Sequence, residues 1–244
     1  MKTVALILAG GLGLRMNQDG EPPKQFYRLG EKPVLIHTLE RFEQHPEIDI
    51  ICVVCLPTWE GYLREVMTHY KLNKARWIIA GGSCRQESVY NGLCALENMC
   101  SPDTMVIVHD GVRPFITAGI ITQNIKTAIE HGNAMTGMRS TDTLISSQDG
   151  LISRSAMERD STFTIQTPQT YRLDYGLELY RRAIACGLTN TINCCELFIA
   201  LGERVYIVSG RKTNVKLTTK DDIAYIKFLN SILIEQEKLN EQYN

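Results

Sequence analysis

Thr3-Val4-Ala5-Leu6-Ile7-Leu8, followed by Ala9-Gly10-Gly11-Leu12-Gly13-Leu14-Arg15-Met16, is the stretch whose reading decides the fold. The first part is an unbroken apolar run. It reads as a strand covered on both faces, as in parallel sheets flanked by helices. Glycines at 10, 11 and 13 let the backbone turn tightly and bring bare N–H groups near an anion. Two cations follow on the same connection, Arg15 and then Lys24 in Pro23-Lys24-Gln25-Phe26. A strand, a glycine turn and paired cations suit a polyphosphate at the end of a sheet, although a glycine turn alone also serves as a plain connector. Met16 stands where the dinucleotide fingerprint needs its third glycine, and Arg15-Met16 replaces the Gly-Lys-Ser/Thr of a P-loop.

Working outward, strand and helix signals alternate as in α/β proteins. Strands are expected at Thr3–Leu8, Ile48–Leu56, Trp77–Ala80, Met105–His109 and Ala134–Arg139. Helices are expected between them at Val34–Gln44, Trp59–Tyr70, Arg85–Met99 and Ile120–His131. Residues 172–186 and 193–201 read as further helices, Val205–Ser209 as a strand, and a last helix starts at Asp221. Thr219 is the expected N-cap of that helix, and Ile223, Ile226, Leu229 and Leu233 form its apolar face. No linker or repeat interrupts the chain, so one domain over residues 1–244 is expected.

Residues 140–163 break the rhythm. They are polar and carry Asp149-Gly150, a hairpin-turn dipeptide, so Thr143–Ile145 and Leu151–Ser153 are expected to pair. Such a hairpin holds too few apolar residues to stand alone and needs a surface, which a second copy of the chain could supply.

Composition narrows the function classes. The chain has 244 residues, 44% of them hydrophobic, and a net charge of −1, so bulk electrostatics give no reason to expect a nucleic-acid or membrane surface. No apolar run approaches a membrane span of about 20 residues, and the start does not read as a signal peptide; the expected address is the cytoplasm. The eight cysteines suggest neither a disulfide framework nor a zinc site. Cys52 and Cys55 would face opposite sides of one strand. Cys94 and Cys100 share one expected helix, and Cys194-Cys195 lacks a second pair at zinc spacing. Four of the five histidines are expected on surfaces or at ordinary helix positions.

Further groups carry chemistry. Val108-His109-Asp110-Gly111-Val112-Arg113-Pro114 lies past the C-terminal end of a strand, the edge where open parallel sheets bind ligands. Asp110 is a hard oxygen ligand for Mg²⁺ and Arg113 a fork for phosphate; the alternative is a structural Asp110–Arg113 pair. Ala80-Gly81-Gly82-Ser83-Cys84-Arg85-Gln86-Glu87-Ser88 is a second glycine turn. It is either a seat for a flat base with Ser88 at its edge, or a simple helix start capped by Ser83. Lys216, in Thr213-Asn214-Val215-Lys216-Leu217-Thr218-Thr219, is an inward-facing cation or a solvent-facing lysine.

In order, AGGLGLRM, PPKQF, GGSCRQESVYNGL, VHDGVRPF, TDT, QTPQ and TNVKLTT resemble the motifs of the CTP-dependent cytidylyltransferases of alditol phosphates, from Val4 to about Ile226. The resemblance implies a Rossmann-like, mostly parallel sheet flanked by helices, of nucleotidyltransferase type, with a protruding β-arm at residues 140–163 that forms a homodimer. It implies that the loop of Ala9, Gly10, Gly11 and Gly13 wraps the triphosphate of CTP. Arg15, Lys24 and Lys216 would act on the α-phosphate, Gly82 and Ser88 would select cytosine, and Asp110 would hold Mg²⁺. Arg113 and Thr167 match positions near the nucleotide or acceptor, and Thr143 and Arg159 match acceptor-phosphate positions on the arm. The chain departs from the pattern at Ile192-Asn193, where Thr-Asp is usual, and at Glu158.

The implied reaction transfers CMP from CTP to an alditol phosphate. The stretches Val112–Phe115, 120–132, Ile207–Gly210 and Thr213–Thr218 look like the branch acting on D-ribitol 5-phosphate. Ser88-Val89-Tyr90-Asn91-Gly92-Leu93 looks like the branch acting on 2-C-methyl-D-erythritol 4-phosphate, which stays as the alternative. More distant readings are a sugar-1-phosphate nucleotidyltransferase and a nucleotide-binding paralogue without turnover.

Overall fold

A computed structural model describes residues 1–11, 13, 16 and 21–242 of the chain. Strand β1 (Thr3–Ala9) leads into the glycine turn, and β2 (Arg28–Leu29) and β3 (Lys32–Pro33) precede α1 (Val34–Glu43). Then come β4 (Ile50–Cys55), α2 (Glu60–His69), β5 (Ala75–Ala80), α3 (Arg85–Glu97), β6 (Met105–Asp110), α4 (Ala118–His131) and β7 (Asn133–Arg139). The second half holds β8 (Ile145–Ser146), β9 (Ser155–Ala156), β10 (Phe163–Arg172), α5 (Leu173–Ala185), α6 (Cys194–Ala200), β11 (Ile207–Ser209) and α7 (Asp221–Gln242).

Seven strands form one sheet in the order β11-β7-β10-β6-β1-β4-β5. All run parallel except β10, which is antiparallel to both its neighbours, β6 and β7. The expected mostly parallel α/β architecture is therefore present. Alternation along the strands sorts side chains into two layers. Val4, Leu6, Cys52, Val54, Val106 and Val108 pack with α3, α5 and α6 on one face. Ala5, Ile7, Ile51, Val53, Cys55 and Ile107 pack with α1, α2 and α4 on the other. Cys52 and Cys55 thus point into different layers, and burial pushes their thiols up, to about 12 and about 11. Helix α3 lies very close to β1, since a Cβ on Gly92 would fall 2.7 Å from a Leu6 methyl. Ile226 of α7 is buried, with Ile223, Leu229 and Leu233 packed beside it, as the apolar stripe requires.

The structure corrects several expectations. Strand β10 falls on residues where no strand is expected from the sequence. In the segment 140–163, Ile145 pairs with Ala156 and Ser146 with Ser155, so residues 151–153 lie in the connecting loop. The cause is the Asp149 carboxylate, which accepts from the N–H groups of Leu151 and Ile152 and lengthens the turn. Cys100 lies beyond the end of α3. His45 is buried just past α1, with its ring against the Ala118 carbonyl and the Thr122 hydroxyl. Before α7, the Asp222 carboxylate accepts from the N–H groups of Thr218 and Thr219, so Asp222 rather than Thr219 secures the helix start. No helix among the described residues is long and apolar enough to cross a membrane.

Candidate active site

A cavity of about 610 Å³ opens where β1, β4 and β6 end. Ala9, Gly10, Gly11 and Gly13 line it from the first glycine turn, Gly82 and Ser88 from the second, and of the other expected residues Lys24, Asp110 and Lys216 line it too. The two turns touch, because a Cβ on Gly81 would sit 3.3 Å from the Gly10 Cα. Glycine is needed there for close approach of two backbones. Gln25, almost fully buried, pins the first turn by donating from Nε2 to the carbonyls of Ala9 (2.7 Å) and Gly11 (3.0 Å). Phe26 stacks on Trp59 with ring centroids 4.7 Å apart, which anchors the segment carrying Lys24.

Asp110 is the electrostatic centre. Its Oδ2 lies 3.0 Å from Lys216 Nζ and 3.3 Å from Arg113 Nε, and its Oδ1 lies 3.5 Å from Arg85 Nη2. Burial alone would raise its pKa. Lys216, Arg85 and Arg113 more than offset that and hold the carboxyl well below the usual carboxylate range. One carboxylate thus faces three cations, leaving excess positive charge on the cavity floor. Arg85, which the sequence reading passed over, lines the cavity as the first residue of α3. A cation at a helix N-terminus opposes the helix dipole, and the Asp110 carboxylate 3.5 Å away offsets that cost here.

The second turn is capped by Cys84 rather than Ser83: the Cys84 sulfur accepts from the Glu87 N–H. Ser88 accepts from the Gly82 N–H at 3.0 Å and donates to the Cys84 carbonyl at 2.9 Å, fixing the turn. Beside it, Gln86 accepts from both the N–H and the hydroxyl of Thr191 and donates to the Leu188 carbonyl. Gln169 accepts from the Cys194 N–H. The loop 188–194 is thereby fastened to α3 and β10. Ile192 is exposed on it, and Asn193 caps α6.

The other expected site residues lie elsewhere. Arg113 and Thr167 are buried and are not among the residues lining the cavity. Arg113 donates to the Asn214 carbonyl at 2.6 Å, and the Thr167 hydroxyl accepts the Asp110 N–H at 3.1 Å. Thr143 and Arg159 are exposed on the segment 140–163, away from the cavity lining. Arg15 lies outside the described residues. No group of three or more His, Cys, Asp or Glu side chains able to share a metal is present among the described residues. A Mg²⁺ at Asp110 would therefore draw the rest of its coordination from substrate phosphates and water rather than from protein alone.

A mostly parallel sheet with a glycine-lined, cation-rich cavity at its C-terminal edge defines a nucleotide-binding enzyme of the α/β class. Residues 3–231 match the family described as IspD: 2-C-methyl-D-erythritol 4-phosphate cytidylyltransferase, and the chain belongs to that cytidylyltransferase family. It is 38% identical to a ribitol-5-phosphate cytidylyltransferase of Vibrio parahaemolyticus, over 97% of this chain and 98% of that one. It is 37% identical to a 2-C-methyl-D-erythritol 4-phosphate cytidylyltransferase of Clostridium acetobutylicum, over 90% of this chain and 93% of the other. Among solved structures, the 4-diphosphocytidyl-2C-methyl-D-erythritol synthase of Anaerococcus prevotii superposes with a TM-score of 0.81 at 27% identity, covering 94% of this chain and 96% of that one.

Proposed function

We propose that this enzyme transfers CMP from CTP to D-ribitol 5-phosphate, forming a CDP-alditol and releasing pyrophosphate. The observation that carries the transfer chemistry is the cavity floor, where Lys24, Arg85 and Lys216 line one cavity with Asp110. In the proposed reaction a phosphate oxygen of the acceptor attacks the α-phosphorus in line, and pyrophosphate leaves. The attacking oxygen is already anionic and needs no general base, so catalysis is placement and charge neutralisation. Lys24, Lys216 and Arg15 are the proposed cations at the α-phosphate, and the N–H groups of residues 9–13 are the proposed cradle for the β- and γ-phosphates. Asp110 would hold Mg²⁺, which when bound draws charge from the phosphate oxygens.

Base choice follows from the hydrogen bonds of Ser88. Its proton is given to the Cys84 carbonyl and one lone pair to the Gly82 N–H, so what remains is an acceptor. The amino group of cytosine can satisfy it, whereas the carbonyl of uracil cannot.

Thr143 and Arg159 are proposed to hold the acceptor phosphate from across a homodimer. The segment that carries them shows Ile145, Leu151, Ile152 and Met157 largely exposed, apolar surface that a second copy would cover. Because CTP is made inside cells, the proposed site of action is the cytoplasm. The Clostridium relative supports a second reading, with 2-C-methyl-D-erythritol 4-phosphate as acceptor. Pyrophosphate release measured with CTP, Mg²⁺ and a panel of alditol phosphates decides between them. Ribitol 5-phosphate is expected to give the highest kcat/KM, and a preference for the methylerythritol phosphate would overturn the first reading.

A further inference from the structure

We propose that Thr167, Asn214 and Arg113 are positioning residues, a closed hydrogen-bonded ring behind the cavity wall that sets Asp110 and Lys216 against each other. The Asp110 N–H donates to Thr167 Oγ1. The Thr167 carbonyl accepts from Asn214 Nδ2 at 2.8 Å, the Asn214 carbonyl accepts from Arg113 Nη1, and Arg113 Nε returns to Asp110 Oδ2. All four residues are buried, Asn214 completely.

Each link answers a local need. The pairing of β10 with β6 stops at Gln169 and Val108, so Asp110 has no ladder carbonyl to meet its N–H, and the Thr167 hydroxyl takes that place. Thr167 itself lies in the register shift between Ile165 and Gln169, where β10 leaves its pairing with β7. Its carbonyl needs a donor from outside the sheet, and Asn214 supplies one. Lys216 lies between β11 and α7, outside any regular element, so its place depends on anchors on either side. Asn214 is the anchor two residues before it, and the Leu217 N–H, bonded to the Val112 carbonyl at 3.0 Å, is the anchor just after. The ring ties three segments distant in sequence into one frame. It also accounts for the donors of Arg113 pointing inward instead of into the cavity. A small displacement of a catalytic charge costs rate steeply, which gives such a frame its value.

This inference rests on the cavity being the cytidylyl-transfer site. Thr167→Val removes the hydroxyl while keeping shape; Thr167→Ser keeps the hydroxyl. Thr167→Val is expected to lower kcat about 10-fold or more with both KM values within about 3-fold, and Thr167→Ser to recover most of that loss. Hydrogen exchange at the Asp110 amide is expected to speed up in Thr167→Val and Asn214→Ser while the rest of β6 keeps its protection. If Thr167→Val fails to fold, Asn214→Ser reads the same ring by kcat and by exchange. An acceptor KM raised about 10-fold with kcat intact, or an Asp110 amide that exchanges no faster in either variant, would overturn the ring. Should the parent enzyme fail to release pyrophosphate with any acceptor, the transfer reading falls, and the exchange result alone then decides for or against the ring.

Discussion

Lys24 reaches the cavity from a segment fastened by the Gln25 clamp and the Phe26–Trp59 stack, so truncating it removes a charge without loosening its support. Lys24→Ala is expected to lower kcat by about 100-fold or more, because the lost charge acts on the transition state. Arg15→Ala is expected to do the same on the strength of the sequence. Near-parental kcat in both variants, measured by pyrophosphate release, would remove them from the machinery. Asp110 tests differently. Asp110→Asn keeps its shape but discards the anion that three cations share and that Mg²⁺ would need. The expected result is lower activity together with a steeper Mg²⁺ requirement; a superimposable Mg²⁺ titration would make Asp110 purely structural.

At the scale of elements, α3 and β1 meet through Gly92, and a Cβ there would press into Leu6 at 2.7 Å. Gly92→Ala is expected to lose about 1–3 kcal/mol in urea unfolding even though alanine favours helix, because overpacking outweighs propensity. Unchanged stability would show that Leu6 yields freely. The segment 140–163 is tested by complementation. Mixing inactive Lys24→Ala and Arg159→Ala chains is expected to restore activity, since a mixed dimer holds one intact site. No recovery after confirmed subunit exchange, or a monomer by sedimentation, would refute the shared site.

The elements also show where the sequence was legible. Apolar runs such as Ile50–Cys55 declared themselves as strands, and the glycine turns announced the cavity. Strand β10 did not, because Gln166, Thr167, Gln169 and Thr170 are polar although buried in the middle of the sheet, and Pro168 argues against a strand. Their side chains supply hydrogen bonds to Arg211, Asp110, Cys194 and Asn124 rather than apolar surface. Arg85 was missed for a related reason. Its partner Asp110 is 25 residues away, a pairing that only the folded sheet creates.

For the molecule as a whole, acid sensitivity has a specific source. His109 is enclosed at the end of β6 beside Phe42, and burial, the largest cause, lowers its pKa to about 3 from 6.5. The unfolded chain takes up a proton below pH 6.5 that the folded one refuses until about pH 3. Its stabilising contribution is therefore full above pH 6.5 and is lost as pH falls toward 3, by up to about 1.4 kcal/mol per unit. Urea midpoints are expected to drop between pH 7 and pH 5, and His109→Asn to flatten that slope; parallel slopes in the two proteins would assign the acid loss to other groups.

The two thiols of β4 have a consequence of their own. Cys52 belongs to one layer and Cys55 to the other, and both are held protonated by burial. A thiol-labelling reagent cannot reach either until the layer over it lifts. Singly retained Cys52 or Cys55 would thus time the opening of the two faces separately, so the chain carries its own pair of clocks, one on each side of the sheet.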